Sequence, residues 1–174
     1  MTPATAIKVA LCMTILSAAV LLLVISRVQS HYGTGSPTGT DVKANATALE
    51  RLMKPENSEA AAHYVVPILF PLDLLLLASL AAFMMTGSIY FAANVGIPAR
   101  WVWLVLVIPV IYMAADLSEN VLLSYILSKG IGMTEPAVAI ARAMTRLKWV
   151  TVELGLLQTL AIMSVGLARW FFVW

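Results

Sequence analysis

The chain has 174 residues, 61% of them hydrophobic and only 11% charged, with a formal net charge of +2 at pH 7. Soluble domains carry about 25% charged residues, so this chain cannot coat a water-soluble globule, and lipid must solvate most of its surface. The small net charge and the lack of a basic run give no footing to nucleic acid. The lone cysteine, Cys12, excludes an intramolecular disulfide and a cysteine-built metal centre.

The first apolar run covers residues 9–26, is bracketed by Lys8 and Arg27, and predicts a transmembrane helix over 8–27. About 20 apolar residues cross a bilayer core, and flanking cations snorkel outward. No small-x-small cleavage site closes the run, which favours a retained helix over a signal peptide. The chain turns polar over 28–58. Gly33, Gly35, Pro37 and Gly39 mark a loop. Thr47 and Glu50 have capping-box spacing around Leu49, Leu52 and Met53, which predicts a short interfacial helix stopping at Pro55.

Ser58 reads as the N-cap of a second helix over 59–94, bent near its start by Pro67 and Pro71. Gly96-Ile97-Pro98 predicts a tight turn into a third helix over 98–129, with Pro109 as a kink and Gly130 and Gly132 as the stop. Thr134 and Pro136 open a fourth helix over 135–173. Trp149 and Trp170, 21 residues apart, read as the two aromatic belts of that helix, and Trp101 and Trp103 as interfacial anchors of the third. The expected architecture is a single domain, 1–174. It is all-α, an integral membrane four-helix transmembrane bundle with an interfacial loop-helix between helices one and two.

Charge inside such a bundle is the informative feature, because an ionisable side chain in the membrane costs several kcal/mol unless it has a partner or a function. Tyr112, Asp116, Glu119 and Asn120 follow i, i+4, i+7 and i+8 and form one polar stripe on the third helix. Counting inward from Trp101 and Trp149 at about 1.5 Å per residue brings this stripe level with Asp73 and Lys148, with Glu153 one turn deeper. Lys148 shares a face with Gly155, Thr159 and Gly166, and small residues let a second helix approach closely, which turns Lys148 inward. The carboxyl groups of Asp73, Asp116 and Glu119 are therefore expected within about 10 Å of one another or of Lys148, close enough for charges to couple. Arg146 and Glu153 fall on a different face and are candidates to pair with each other.

Asp116 and Glu119, with Asp73, are the candidate acid–base residues, and Asn120, Tyr112, Lys148 and Glu153 the candidate ligand contacts. Either Lys148 neutralises one acid or an acid carries a proton, and a neutral carboxylic acid is a general acid or proton carrier. Hard oxygen ligands at Asp73, Asp116, Glu119 and Asn120 would suit Mg²⁺. However, Asp116-x-x-Glu119 lacks the doubled Asp and the second motif of the isoprenoid enzymes that bind diphosphate through magnesium, so no resident metal or other cofactor is expected. Ser118, Ser124 and Ser128 have no histidine base nearby, which leaves a hydrolase triad unsupported.

The set Pro71-Leu-Asp73-Leu-Leu, Asp116-Leu-Ser-Glu119-Asn120 and Thr145-Arg-Leu-Lys148-Trp149 resembles a pattern of small four-helix bacterial membrane proteins. The resemblance covers helices two to four and implies a fold without an activity. A looser analogy links the chain to the sterol-isomerase and sigma-2 receptor group, which places carboxylates in a small bundle to handle a lipid-like cation. The leading expectation is a membrane enzyme or binding protein for a lipid-like small molecule that arrives from the membrane lipids. A non-catalytic subunit of a larger membrane complex and a proton-coupled carrier, as a homodimer, are the alternatives. Arg27, Lys43, Arg51, Lys54, Lys129 and Arg142 on the long-loop side, against Lys8, Arg100 and Arg169, predict a cytoplasmic loop in a bacterial inner membrane.

Overall fold

A computed structural model describes residues 3–32, 42–129 and 136–172. All regular structure among them is helical. Helix α1 spans Pro3–Tyr32, α2 Val42–Leu52 and α3 Ser58–His63, the last preceded by a 3-10 turn at Pro55–Asn57. A π-wound segment, Tyr64–Asp73, leads into α4, Leu74–Val95. A 3-10 helix, Ala99–Leu106, leads into α5, Val107–Lys129, and α6 spans Pro136–Phe172. Four stretches are long and apolar enough to cross a membrane: Ile7–Arg27, Pro55–Ala92, Ala99–Lys129 and Pro136–Arg169. Their outward faces carry Leu22, Leu23, Val110, Val121, Leu157 and Leu160, side chains that only lipid or another apolar surface solvates well.

The second of these stretches is not one continuous helix. Val66 (φ −129°, ψ 117°) and Phe70 (φ −134°, ψ 117°) are extended, and each precedes a proline. Clash with the proline ring disfavours the α conformation at that residue, and the proline itself lacks an amide donor. Regular winding resumes only at Leu74, one residue past Asp73.

Several local signals act differently from their sequence reading. Helix α2 starts at Val42, so Thr47 lies inside it and cannot be its N-cap. Leu49 and Leu52 are buried at 3% and 1% exposure, and this packing, not a capping box, sets where the helix lies. The N-cap of α3 is Asn57, without a side-chain capping bond, and Ser58 is the first helical residue. Pro109 is the third residue of α5, which continues the 3-10 helix; its missing N–H frees the Val105 carbonyl four residues back, to which Gln158 Nε2 donates at 2.7 Å, and the irregularity predicted there is the 3-10 winding before it. The turn at Gly96 is as expected, with φ 87° and Ile97 N–H donating to the Ala92 carbonyl at 3.0 Å. The predicted features at Gly33–Gly39, Gly130, Gly132 and Thr134, and the side chain of Trp170, lie outside the described residues.

Two apolar cores stack along the helices. One joins Leu21, Leu49, Leu52, Tyr64, Ile68, Leu123, Ile126 and Val138, drawing on α1, α2, α5, α6 and the π-wound segment. The other joins Ile7, Leu77, Met84, Phe91, Tyr112 and Val152. On α5 the first core begins at Leu123 and the second holds Tyr112, so Asp116, Glu119 and Asn120 fall between them. In the second half α4 and α6 approach closely: a Cβ on Gly166 would lie 2.6 Å from Phe91 Cδ1, and one on Gly155 2.7 Å from Met84 Sδ.

Candidate functional site

The layer between the two cores is ionic, and each helix contributes for a simple geometric reason. Asp116, Glu119 and Asn120 sit three and four residues apart, hence on one face of α5. All three are buried, at 1%, 0% and 0% exposure. Thr145 and Lys148, three apart, face them from α6. Asp73 arrives at the end of the π-wound segment, just where the two pre-proline residues have released the chain from regular winding.

Lys148 is the hub. Its Nζ lies 3.1 Å from Glu119 Oε2 and 3.7 Å from Asp73 Oδ2, and it forms its shortest ion pair with Asp116 Oδ1. Asn120 Nδ2 donates to Asp73 Oδ2 at 2.7 Å. Thr145 Oγ1 donates to Glu119 Oε1 at 2.5 Å. A hydroxyl has one proton, and the other acceptor in reach, the Ala141 carbonyl, is farther at 3.1 Å.

The unpaired buried atoms of Asp116, Glu119 and Asn120 are all acceptors, while Arg142 Nε, three residues before Thr145 on α6, is a buried donor without a hydrogen bond among the described residues. Three carboxylates converge on a single ammonium, a formal charge of −2 if all are ionised. Asp116 Oδ1 and Glu119 Oε2 are held by Lys148 as ion-pair partners without an aligned hydrogen bond. Asn120 Oδ1 has no hydrogen-bond partner among the described residues. Because Asn120 Nδ2 must be the end that donates to Asp73, Oδ1 is fixed as the acceptor left over. With all three carboxylates ionised, the site lacks donors and positive charge. A buried acceptor without a donor costs about 1–3 kcal/mol.

The cluster is covered above and below by the two cores. Its more exposed members are Lys148 and Asp73, whose side chains are 12% and 11% exposed, against 1% and 0% for Asp116 and Glu119.

The structure therefore brings together five of the seven residues singled out in the sequence: Asp73, Asp116, Glu119, Asn120 and Lys148. Tyr112, at 2% exposure one turn before Asp116, packs in the adjoining core within electrostatic range of Asp116, Lys148 and Asp73. Glu153 does not join them. Five residues beyond Lys148 is about 140° around a helix, and Glu153 is exposed on the outer face of α6. No ion pair between Arg146 and Glu153 occurs among the described residues. Thr145 is the member not singled out as a site residue; in the sequence it stands only as the first residue of the Thr145-Arg-Leu-Lys148-Trp149 pattern, one turn before Lys148.

No group of His, Cys, Asp or Glu among the described residues is arranged to hold a metal ion; the point on which the three carboxylates converge is held by the Lys148 ammonium. No family model matches the chain, and no similar curated protein or solved structure was found.

Proposed function

We propose that the chain is a four-helix transmembrane bundle, with α2 and its loop at the interface, that binds or converts a lipid-like molecule at the Lys148 cluster. One observation carries this reading. The ionic layer lies between two apolar cores, and within the cluster Asp73 and Lys148 are the side chains that keep some surface, at 11% and 12% exposure. A molecule that reaches it from the side comes out of the bilayer, not out of water. Its apolar tail would lie along the bundle, and its polar end would meet Asp73 and Asn120 first. Asp116 and Glu119 are the groups to give or take a proton, with Lys148 balancing their charge and Thr145 orienting Glu119. In a buried site such proton transfer contributes typically 10²–10⁴-fold to a rate.

The test is native mass spectrometry of the purified protein, followed by organic extraction. Wild-type protein should carry a discrete small molecule that Asp116→Asn and Glu119→Gln protein, purified in parallel, does not. Identical extracts from all three would remove the support for a ligand site.

A second reading rests on Glu153. It stands exposed among Val150, Leu154 and Leu157 on the outer face of α6, where a carboxylate has no reason to face hydrocarbon. A partner helix with a donor at that height would satisfy it, as in a non-catalytic subunit of a membrane complex. Glu153→Leu should then change the size of the particle extracted in mild detergent and leave the Lys148 cluster intact.

A further inference from the structure

Resting on the ligand reading above, we propose that the polar end of the ligand is a protonated primary amine, so that the site selects amphiphilic ammonium compounds over alcohols and acids. The cluster already has more acceptors than donors: Asn120 Oδ1, fully buried, accepts nothing, and three carboxylates share one ammonium. These two needs are independent. The orphan amide oxygen asks for an N–H or O–H donor. The carboxylates, when all three are ionised, ask for positive charge. A primary ammonium meets both with one group, since it carries three N–H donors and a full charge.

The geometry places these needs where a ligand would arrive. Asn120 is tied to Asp73 by the 2.7 Å bond from Nδ2, so its free Oδ1 belongs to the same small unit as the partly exposed Asp73 carboxylate. An ammonium passing Asp73 would pair with it and donate to Asn120 Oδ1, and Lys148 would remain with Asp116 and Glu119. The site then holds two ammonium groups against three carboxylates, closer to neutrality than before. A carboxylate headgroup would add a fourth negative charge and find only Lys148. A hydroxyl would satisfy Asn120 but leave the charge unchanged. A quaternary ammonium would bring charge without a donor.

The test is binding of four ten-carbon probes to the protein in phosphatidylcholine nanodiscs at neutral pH: decylamine, decanol, decanoate and decyltrimethylammonium. Empty nanodiscs measure simple partitioning, and the shift of the thermal midpoint reports specific binding. Decylamine should bind at least about tenfold more tightly than each of the others, the discrimination expected from one charge-assisted hydrogen bond. Asn120→Leu should reduce decylamine to the level of decyltrimethylammonium. If that variant fails to fold, the ranking of probes on wild-type protein alone decides the matter. Equal binding of decanol or decanoate, lost in Asp116→Asn, would overturn the ammonium selectivity and leave the lipid-site reading standing. Decyltrimethylammonium binding as well as decylamine would overturn the role given to Asn120. No probe binding above the nanodisc background would overturn both.

Discussion

Where α4 crosses α6, Ser88 Oγ and Thr159 Oγ1 lie 3.1 Å apart, and Thr159 also reaches the Gly155 carbonyl at 2.8 Å. About 16 Å away along α6, at the usual rise of a helix, Lys148 faces three carboxylates. Both groups are buried polar contacts made by α6, the first with α4 and the second with α5 and the π-wound segment, yet they are built differently. The hydroxyl pair is neutral, small and saturated, and is flanked by Gly155 and Gly166, which bring the backbones together. The Lys148 cluster is charged, holds an orphan acceptor and keeps some surface at Asp73 and Lys148. Polar groups that serve packing end with every valence filled, whereas a group that awaits a ligand keeps one open. The two regions should therefore respond oppositely to substitution, the first in stability and the second in binding.

The largest effect expected is from Lys148→Met, which strands three carboxylates and should cost about 3–5 kcal/mol before relaxation, measured by thermal melts in detergent. Adding Asp116→Asn should return part of that loss, and Glu119→Gln a further part. Additive losses on combination would mean that Lys148 is not their hub. Next, Gly166→Leu drives a side chain into Phe91, and overpacking of this kind costs about 1–3 kcal/mol; Gly155→Ala should cost less, because the flexible Met84 tip can move aside. Thr159→Val, which keeps the shape and removes the hydroxyl, should cost about 0.6 kcal/mol, as membrane hydrogen bonds do on average, and leave ligand retention unchanged. A Thr159→Val protein that loses its ligand would erase the distinction between the two regions. The smallest effect on the isolated protein is that of Glu153→Gln, within about 0.5 kcal/mol as for an exposed position.

The sequence makes some of this visible and hides the rest for identifiable reasons. The stripe of Asp116, Glu119 and Asn120 is legible because helical spacing alone places residues three and four apart together, and lipid gives such a stripe nowhere else to go. Lys148 is legible through Gly155 and Gly166, which mark the inward face of α6. Asp73 is harder: its direction depends on irregular winding between Val66 and Phe70, where no simple period applies, and only its depth can be read in advance. Thr145 appears in the pattern before Lys148 but without a role, because a threonine in a helix ordinarily returns its hydroxyl to a carbonyl one turn back, and nothing local announces that a carboxylate competes for it. Glu153 is misleading for the converse reason. It lies about one turn from the level of the cluster, but depth alone does not say on which side of the helix a residue stands. The capping box at Thr47 fails because Leu49 and Leu52 are drawn into the core, so that tertiary burial outweighs a local signal worth about 1 kcal/mol.

The ion pairs of Lys148 also bear on how the protein enters the membrane. A single charged residue at the centre of a helix costs about 2.5–3.5 kcal/mol during translocon-mediated insertion. Helix α5 brings two carboxylates, Asp116 and Glu119, and α6 brings the lysine that meets both. Released singly into lipid, each helix would carry its charge unpaired; released together, they would carry it as a contact already made. Only six residues, 130–135, separate the two helices. The expected unit of insertion is thus the α5–α6 hairpin, not either helix alone.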